Sequence, residues 1–261
     1  MIEITSKDNP LVKSIRRLSQ DSTAYRKLGQ IWCEGDHLCR AALQRGVKPL
    51  QLVLTQSLWL RDPWEWRSVC EQVFVLPDAL FAQLSGLESP GQLGFVLEYA
   101  PETSLLLDQP MVILDRVQDA GNVGAILRSA SAFGFKQVVA LRGTAALWSA
   151  KVLRAGMGAH FSLRLLDAAQ LDVLDHLQVP LLATSSHQGP FLHELLANQT
   201  LPRPCAWVMG HEGQGVSEEI LGKAKLLVRI AQPGGEESLN VASAAAICLH
   251  ASASSALLNP A

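Results

Sequence analysis

The chain has 261 residues, of which 48% are hydrophobic, 18% charged and 6% aromatic. That balance excludes a disordered or fibrous chain and fits a soluble α/β protein with ample core. The net charge of −2 leaves no global basic field, so any nucleic-acid binding has to come from local patches.

The five cysteines, at 33, 39, 70, 205 and 248, form no CxxC and no His/Cys ligand spacing. This argues against a structural metal and for reduced thiols in a cytoplasmic protein. The N-terminus lacks the apolar core of a secretory signal, and no run is long and apolar enough to span a bilayer.

In chain order, Pro10 to Ser19 reads as a helix behind a cap region ending at Asn9. Residues 31–35 look like a short strand, and His37 to Arg45 a helix ended by Gly46. Residues 50–55 and 72–77 are β-like, 78–86 helical up to Gly86, and 93–99 a strand. This is a small α/β domain over 1–99. The stretch APETSLLLDQP (100–110), with two prolines, reads as a linker.

From 111 the alternation restarts with longer units. Strands are predicted at 111–115, 137–141, 162–166, 180–184, 205–209 and 226–230, and helices at 122–133, 146–156, 168–177, 216–224 and 238–258. Strands separated by helices imply a mostly parallel sheet with helices on both faces, over 111–261. Ligands of such sheets sit beyond the carboxyl ends of the strands. The informative loops therefore follow residues 115, 184, 209 and 230.

Three of those loops are chemically unusual. In the first, Gly121 and Gly124 permit close backbone approach, Asn122 can cap the helix that follows, and Arg128 sits in a helix of small residues. Taken alone, Arg128 is equally an exposed surface arginine. The second loop, in WVMGHEGQGVSEE (207–219), holds Glu212 among Gly210, Gly213 and Gly215. It matches neither GxGxxG nor GxxxxGK[ST], so a dinucleotide or P-loop reading lacks support. An ordinary turn capped by Ser217 would also account for it, with His211 as a solvated loop histidine. The third runs through Pro233-Gly234-Gly235 to Ser238-Leu239-Asn240 and an Ala/Ser-rich helix, where Ser238 is either a helix cap or a working group. No GxSxG is present, which removes a serine hydrolase.

Read together, N-x-G-x-x-x-R (Asn122, Gly124, Arg128), G-x-E-G-x-G (Gly210, Glu212, Gly213, Gly215) and S-L-N-V (Ser238 to Val241) resemble the SpoU/TrmH branch of the SPOUT RNA methyltransferases. The order and spacing of the motifs match, and the resemblance covers the whole chain. It implies an α/β sheet whose C-terminal part forms a deep trefoil knot, which the rarity of knots would otherwise argue against.

The resemblance also implies S-adenosylmethionine as cofactor, with no metal. Its binding positions would be near Thr184, at Gly210 and Gly213, at Ile230, and at Ser238 and Leu239. It implies a homodimer through the knotted domain, with the 238–256 helix at the interface. Methyl would be transferred to a ribose 2′-OH by a site made of Arg128, Asn122, Glu212, Ser238 and Asn240. Arginine stays protonated, so Arg128 is expected to contact the target phosphate and the 2′-oxygen rather than to act as base. Glu212 would hold Asn122 or Arg128, and Ser238 and Asn240 would orient the ribose.

Members acting on ribosomal RNA carry a substrate-binding domain ahead of the catalytic one. This favours 23S ribosomal RNA as substrate, with transfer RNA next and a silent RNA-binding or ribosome-assembly factor as the rival from another class. Two positions depart from the family pattern. Ile230-Ala231-Gln232 stands where Ile-Pro-Met is usual, and His211 where Asn or a small residue is common.

The RNA footprint is expected at Lys7, Lys13, Arg16, Arg17 and Arg26, with Lys13, Arg16 and Arg17 on one helical face. The tryptophans of SLWLRDPWEWRSVC (57–70) read as core or domain-contact residues before RNA-stacking ones.

Overall fold

The structure is a computed structural model describing residues 1–86, 90–235 and 238–258. It contains two compact units, Met1–Ala100 with Trp148–Phe161, and Pro101–Leu147 with Ser162–Ala261. The first begins β1 Ile2–Glu3, α1 Pro10–Gln20, α2 Ala24–Leu28, β2 Gln30–Glu34, α3 Asp36–Gln44 and β3 Gln51–Thr55. It continues α4 Gln56–Arg61, α5 Pro63–Arg67, β4 Val73–Leu76, α6 Asp78–Ala82 and β5 Leu93–Glu98. The sheet order is β1-β4-β3-β5-β2; β4 runs parallel to β1 and β3, and β5 antiparallel to β3 and β2.

Helix α1 starts where the Asn9 side chain accepts the Leu11 amide at 2.9 Å, with Pro10 pre-set for the first turn. It buries Val12, Ile15 and Leu18 and turns Lys13 and Arg17 outward. The helices α2, α4 and α5 are five or six residues long, too short to leave a periodic signal. The tryptophans divide: Trp66 is buried, whereas Trp64 is 77% exposed.

The second unit comprises β6 Met111–Leu114, α7 Ala120–Ala132 and β7 Gln137–Leu141. The next helix, α8 Ala150–Gly156, lies within the stretch grouped with the first unit, where it packs on β2 and α1. Beside it Trp148 meets Tyr99 edge-on, with ring centroids 6.3 Å apart. The chain returns to the second unit with β8 Arg164–Ala169, β9 Leu181–Thr184, α9 Leu192–Ala197, β10 Ala206–Met209, α10 Glu218–Lys223, β11 Leu226–Val228 and α11 Val241–Leu258.

The sheet order is β11-β9-β10-β6-β7-β8, every neighbour parallel. Strands such as β6 (MVIL) and β7 (QVVAL) are buried along their whole length, as a parallel sheet requires. Met111, Ile113, Val139, Val208 and Ile220 lie in one core cluster.

The helix expected at 168–177 is not formed. Strand β8 runs on to Ala169, and a 3-10 turn covers Leu171–His176. Leu171, Leu174 and Leu177 recur every third residue, which suits three residues per turn better than 3.6. Helix α9 was not expected. Among the described residues no helix is long and apolar enough to cross a membrane, and no group of His, Cys, Asp and Glu could hold a metal ion.

Candidate active site at the carboxyl ends of the strands

The register places the informative loops at one edge. Thr184 pairs with Val228, Ala183 with Val208, and Met209 with Leu114. Thr184, Gly210, Ile230 and Asp115 therefore all lie at the carboxyl ends of adjacent parallel strands.

The loop after β10 folds back on itself. A Cβ on Gly210 would lie 2.2 Å from both the Gly215 carbonyl carbon and the Val216 nitrogen, so only glycine fits. His211 and Gly215 exchange backbone hydrogen bonds of 3.0 and 2.8 Å. The His211 Nδ1 accepts the Gly213 and Gln214 amides at 2.9 and 3.2 Å. His211 is thus the internal brace of the turn, not a solvated loop histidine, because its Nδ1, three bonds from Cα like an Asn oxygen, can close the turn in the same way.

This turn aims Glu212 at the start of α7. Its carboxylate accepts the Gln118 amide at 3.2 Å, the Asp119 amide at 3.0 Å and the Asn122 Nδ2 at 3.1 Å. Burial is the largest influence and pushes the carboxyl upward. The Asp119 amide, the Asn122 side chain and the Gln118 amide together outweigh it and hold Glu212 below its ordinary value. Glu212 therefore holds Asn122, one of the two partners expected for it.

The Asn122 Oδ1 accepts the Asn240 Nδ2 at 2.9 Å. An ionised carboxylate only accepts, so it fixes which end of the Asn122 amide faces Glu212 and which faces Asn240. The caps differ from expectation. Asp119, not Asn122, caps α7 by accepting the Asn122 amide at 2.8 Å. Asn240, not Ser238, caps α11 by accepting the Ala242 and Ser243 amides at 2.9 and 3.2 Å. Each cap stands where a side-chain oxygen reaches the second or third amide of its helix.

A second brace was not singled out in the sequence. Asp115, 3% exposed, accepts the Arg116 Nε at 2.9 Å and Nη2 at 3.2 Å, and the Ser217 amide at 2.7 Å. Ser217 caps α10 without a side-chain hydrogen bond; its amide serves Asp115 instead. Arg116 adopts φ +58°, a left-handed conformation costly for a residue with a Cβ. That turn lets its Nη1 reach the Gln214 Oε1 at 2.9 Å. Burial acts most strongly on Asp115 and raises it, but the Arg116 guanidinium and the Ser217 amide prevail and hold the carboxyl low. The available signal was an acid directly after a wholly apolar strand.

The remaining expected residues do not join the Glu212–Asn122–Asn240 network. Arg128 is exposed and, among the described residues, has no hydrogen bond or ion pair. Ser238 and Leu239 are exposed and directly precede Asn240. Gly213 sits in the turn, and the half-buried Thr184 donates weakly to the Val208 carbonyl at 3.4 Å. Ile230 is half-buried. Two residues on, the Gln232 Oε1 is buried and, among the described residues, has no hydrogen-bond partner. In the first unit, Lys13, Arg16, Arg17, Gln20 and Asp21 line an open groove, and Lys7 and Arg26 are exposed.

A parallel α/β sheet with three braced loops gathered at its carboxyl edge defines an α/β protein that binds its ligand at the strand ends. The chain belongs to the SpoU rRNA Methylase family, whose model matches residues 109–250. It is 29% identical over 253 residues to the 23S rRNA (guanosine(2553)-2′-O)-methyltransferase RlmP of Bacillus subtilis, covering 96% of this chain and 98% of that one. It is 33% identical to an uncharacterized tRNA/rRNA methyltransferase of Synechocystis, over 95% of this chain and 92% of the relative. Among solved structures it resembles the AdoMet-bound rRNA methyltransferase from Sinorhizobium meliloti, with TM-score 0.78, 28% identity and 96% of each chain covered. The family resemblance carried by the three motifs is borne out.

Proposed function

We propose that the protein is an S-adenosylmethionine-dependent methyltransferase that methylates a ribose 2′-OH of 23S ribosomal RNA. The observation that carries this is the Glu212–Asn122–Asn240 chain, which joins the three motif loops across 90 and 118 residues of sequence. The cofactor fits the residues present. The edge offers an unpartnered buried acceptor at Gln232 and an exposed apolar side chain at Leu239, beside Thr184, Gly210, Gly213, Ile230 and Ser238.

When bound, S-adenosylmethionine supplies a methyl group on a positively charged sulfur, already activated for transfer. The ribose hydroxyl is the harder partner, a weak nucleophile until its proton departs. Arg128 remains protonated; its free guanidinium fork binds the adjoining phosphate and stabilises the developing alkoxide. Glu212 is a poor base, because amide donors occupy its carboxylate and favour the ionised form. Its work is to hold Asn122, which with Asn240 and Ser238 orients the ribose. The proton leaves to solvent.

In this reading residues 1–99 bind the RNA through Lys7, Lys13, Arg16, Arg17 and Arg26, 100–110 link, and 111–261 catalyse apart from Trp148–Phe161, which group with the first unit. A knot is supported by the close approach of the chain after β9 to the end of β11 and the residue that follows it. A Cβ on Gly189 would lie 2.0 Å from the Leu227 carbonyl oxygen, Phe191 bridges to Arg229, and the Arg229 Nε donates to the Gly189 carbonyl at 2.7 Å. The homodimer forms through α11, which has no Lys, Arg, Asp or Glu and leaves Ile247 and Leu257 exposed. The site of action is the cytoplasm.

The test is transfer of labelled methyl from S-adenosylmethionine to unmodified total RNA, sorted by species and mapped for 2′-O-methylribose. Label at one 23S site, lost in Arg128→Ala while cofactor binding persists, is expected. Label confined to transfer RNA overturns the substrate, and absence of both label and cofactor binding favours the silent RNA-binding factor.

A further inference from the structure

Resting on that reading, we infer that Gln232 supplies a side-chain hydrogen-bond acceptor to the adenosine portion of the cofactor, a contact that the family's usual methionine at this position cannot make. Gln232 follows β11 by four residues and so lies beside the edge shared by Thr184 and Gly210. Its Oε1 is cut off from solvent and meets no donor; it is the only such side-chain atom in the second unit among the described residues. Its backbone is fixed by the turn in which the Gly235 amide donates to the Gln232 carbonyl at 3.2 Å.

A buried amide oxygen without a donor is costly, and an apolar side chain of the same length would remove that cost. A glutamine here is therefore accounted for by a ligand donor that reaches it. The carboxylate and sulfonium of S-adenosylmethionine cannot donate, and its ammonium is matched better by a charged acceptor. The neutral donors are the adenine amine and the ribose hydroxyls, and these suit a neutral carboxamide.

Calorimetric titration of S-adenosylmethionine and of 5′-methylthioadenosine, which lacks the amino-acid portion, tests the contact in wild type and Gln232→Met. Both ligands are expected to bind the variant about tenfold more weakly, and by the same factor. The ligand-free variant should melt at or above the wild-type temperature, since the orphan is gone. Unchanged affinity in the variant overturns the contact. So does a lower ligand-free melting temperature, because the oxygen would then be satisfied within the protein. Weakening of S-adenosylmethionine alone overturns the assignment to adenosine. Wild-type protein that binds neither ligand overturns the methyltransferase reading and the contact with it, whereas wild-type binding with an indifferent variant removes the contact alone.

Discussion

Replacing Asp115 by Asn isolates what the second brace contributes. The side chain keeps its shape and one oxygen, so the Ser217 amide, now 2.7 Å from the carboxylate, can still be accepted. The same oxygen also keeps the Arg116 Nη2 at 3.2 Å, while the other end becomes an NH₂ facing the Arg116 Nε 2.9 Å away. One charge-assisted hydrogen bond becomes donor against donor. The guanidinium is partly exposed and can turn to water, which limits the damage to about 2–3 kcal/mol. For a unit of this size that is about 4–12 °C in melting temperature.

The pH dependence follows from the depressed carboxyl of Asp115. A group whose folded pKa lies below its unfolded one adds stability above the unfolded value, near pH 4, and loses it as pH falls through the folded value. The gap between wild type and Asp115→Asn, measured by scanning calorimetry, should be full at pH 7 and shrink as the solution is acidified below pH 4. A gap under about 1 °C at pH 7, or one that does not narrow in acid, would refute the reasoning. A companion pair checks the backbone: Arg116→Gly should be more stable than Arg116→Ala by about 1 kcal/mol, because only glycine takes φ +58° freely.

Gly210→Ala should abolish soluble, active protein, since its Cβ would sit 2.2 Å from backbone; Gly213→Ala, whose nearest neighbour is a ring atom at 3.8 Å, should be tolerated, and equal thermal melts for the two would refute the close approach. His211→Asn should retain methyl transfer because an Asn oxygen can accept the same two amides, while His211→Leu should lose about tenfold in rate by leaving them unpaired; equal rates for both variants would remove the brace. Lys13→Ala with Arg17→Ala should weaken RNA binding and reduce the salt slope by about 1.4, at about 0.7 per phosphate contact. An unchanged slope in filter-binding titrations would show that α1 does not face the RNA.

Much of the second sheet was legible because its strands are apolar on both faces, and a continuous run such as Met111–Leu114 has no competing reading once turn residues bound it. The site was legible as three motifs, and Asn122, Glu212 and Asn240 do meet. Which oxygen caps which helix was not legible, because Asp119 and Asn122, like Ser238 and Asn240, are both competent and stand two or three residues apart. The left-handed Arg116 carries no local signature, since its side chain is held between the neighbouring Asp115 and, from across the fold, Gln214. The role of His211 depends on a turn closed by Gly215, and the partner of α8 lies more than a hundred residues earlier in the chain.

The bonds that assemble the site span 90 residues between Asn122 and Glu212 and 118 between Asn122 and Asn240. None can form early, because loop closure over such distances yields nothing until the strands on either side are already in place. During synthesis Asn122 waits for more than a hundred residues to emerge before its second partner exists. The sheet can be largely built while the site is still open. Activity therefore reports completion of folding more stringently than secondary structure does, and a refolding time course should recover its circular dichroism well before its methyl transfer.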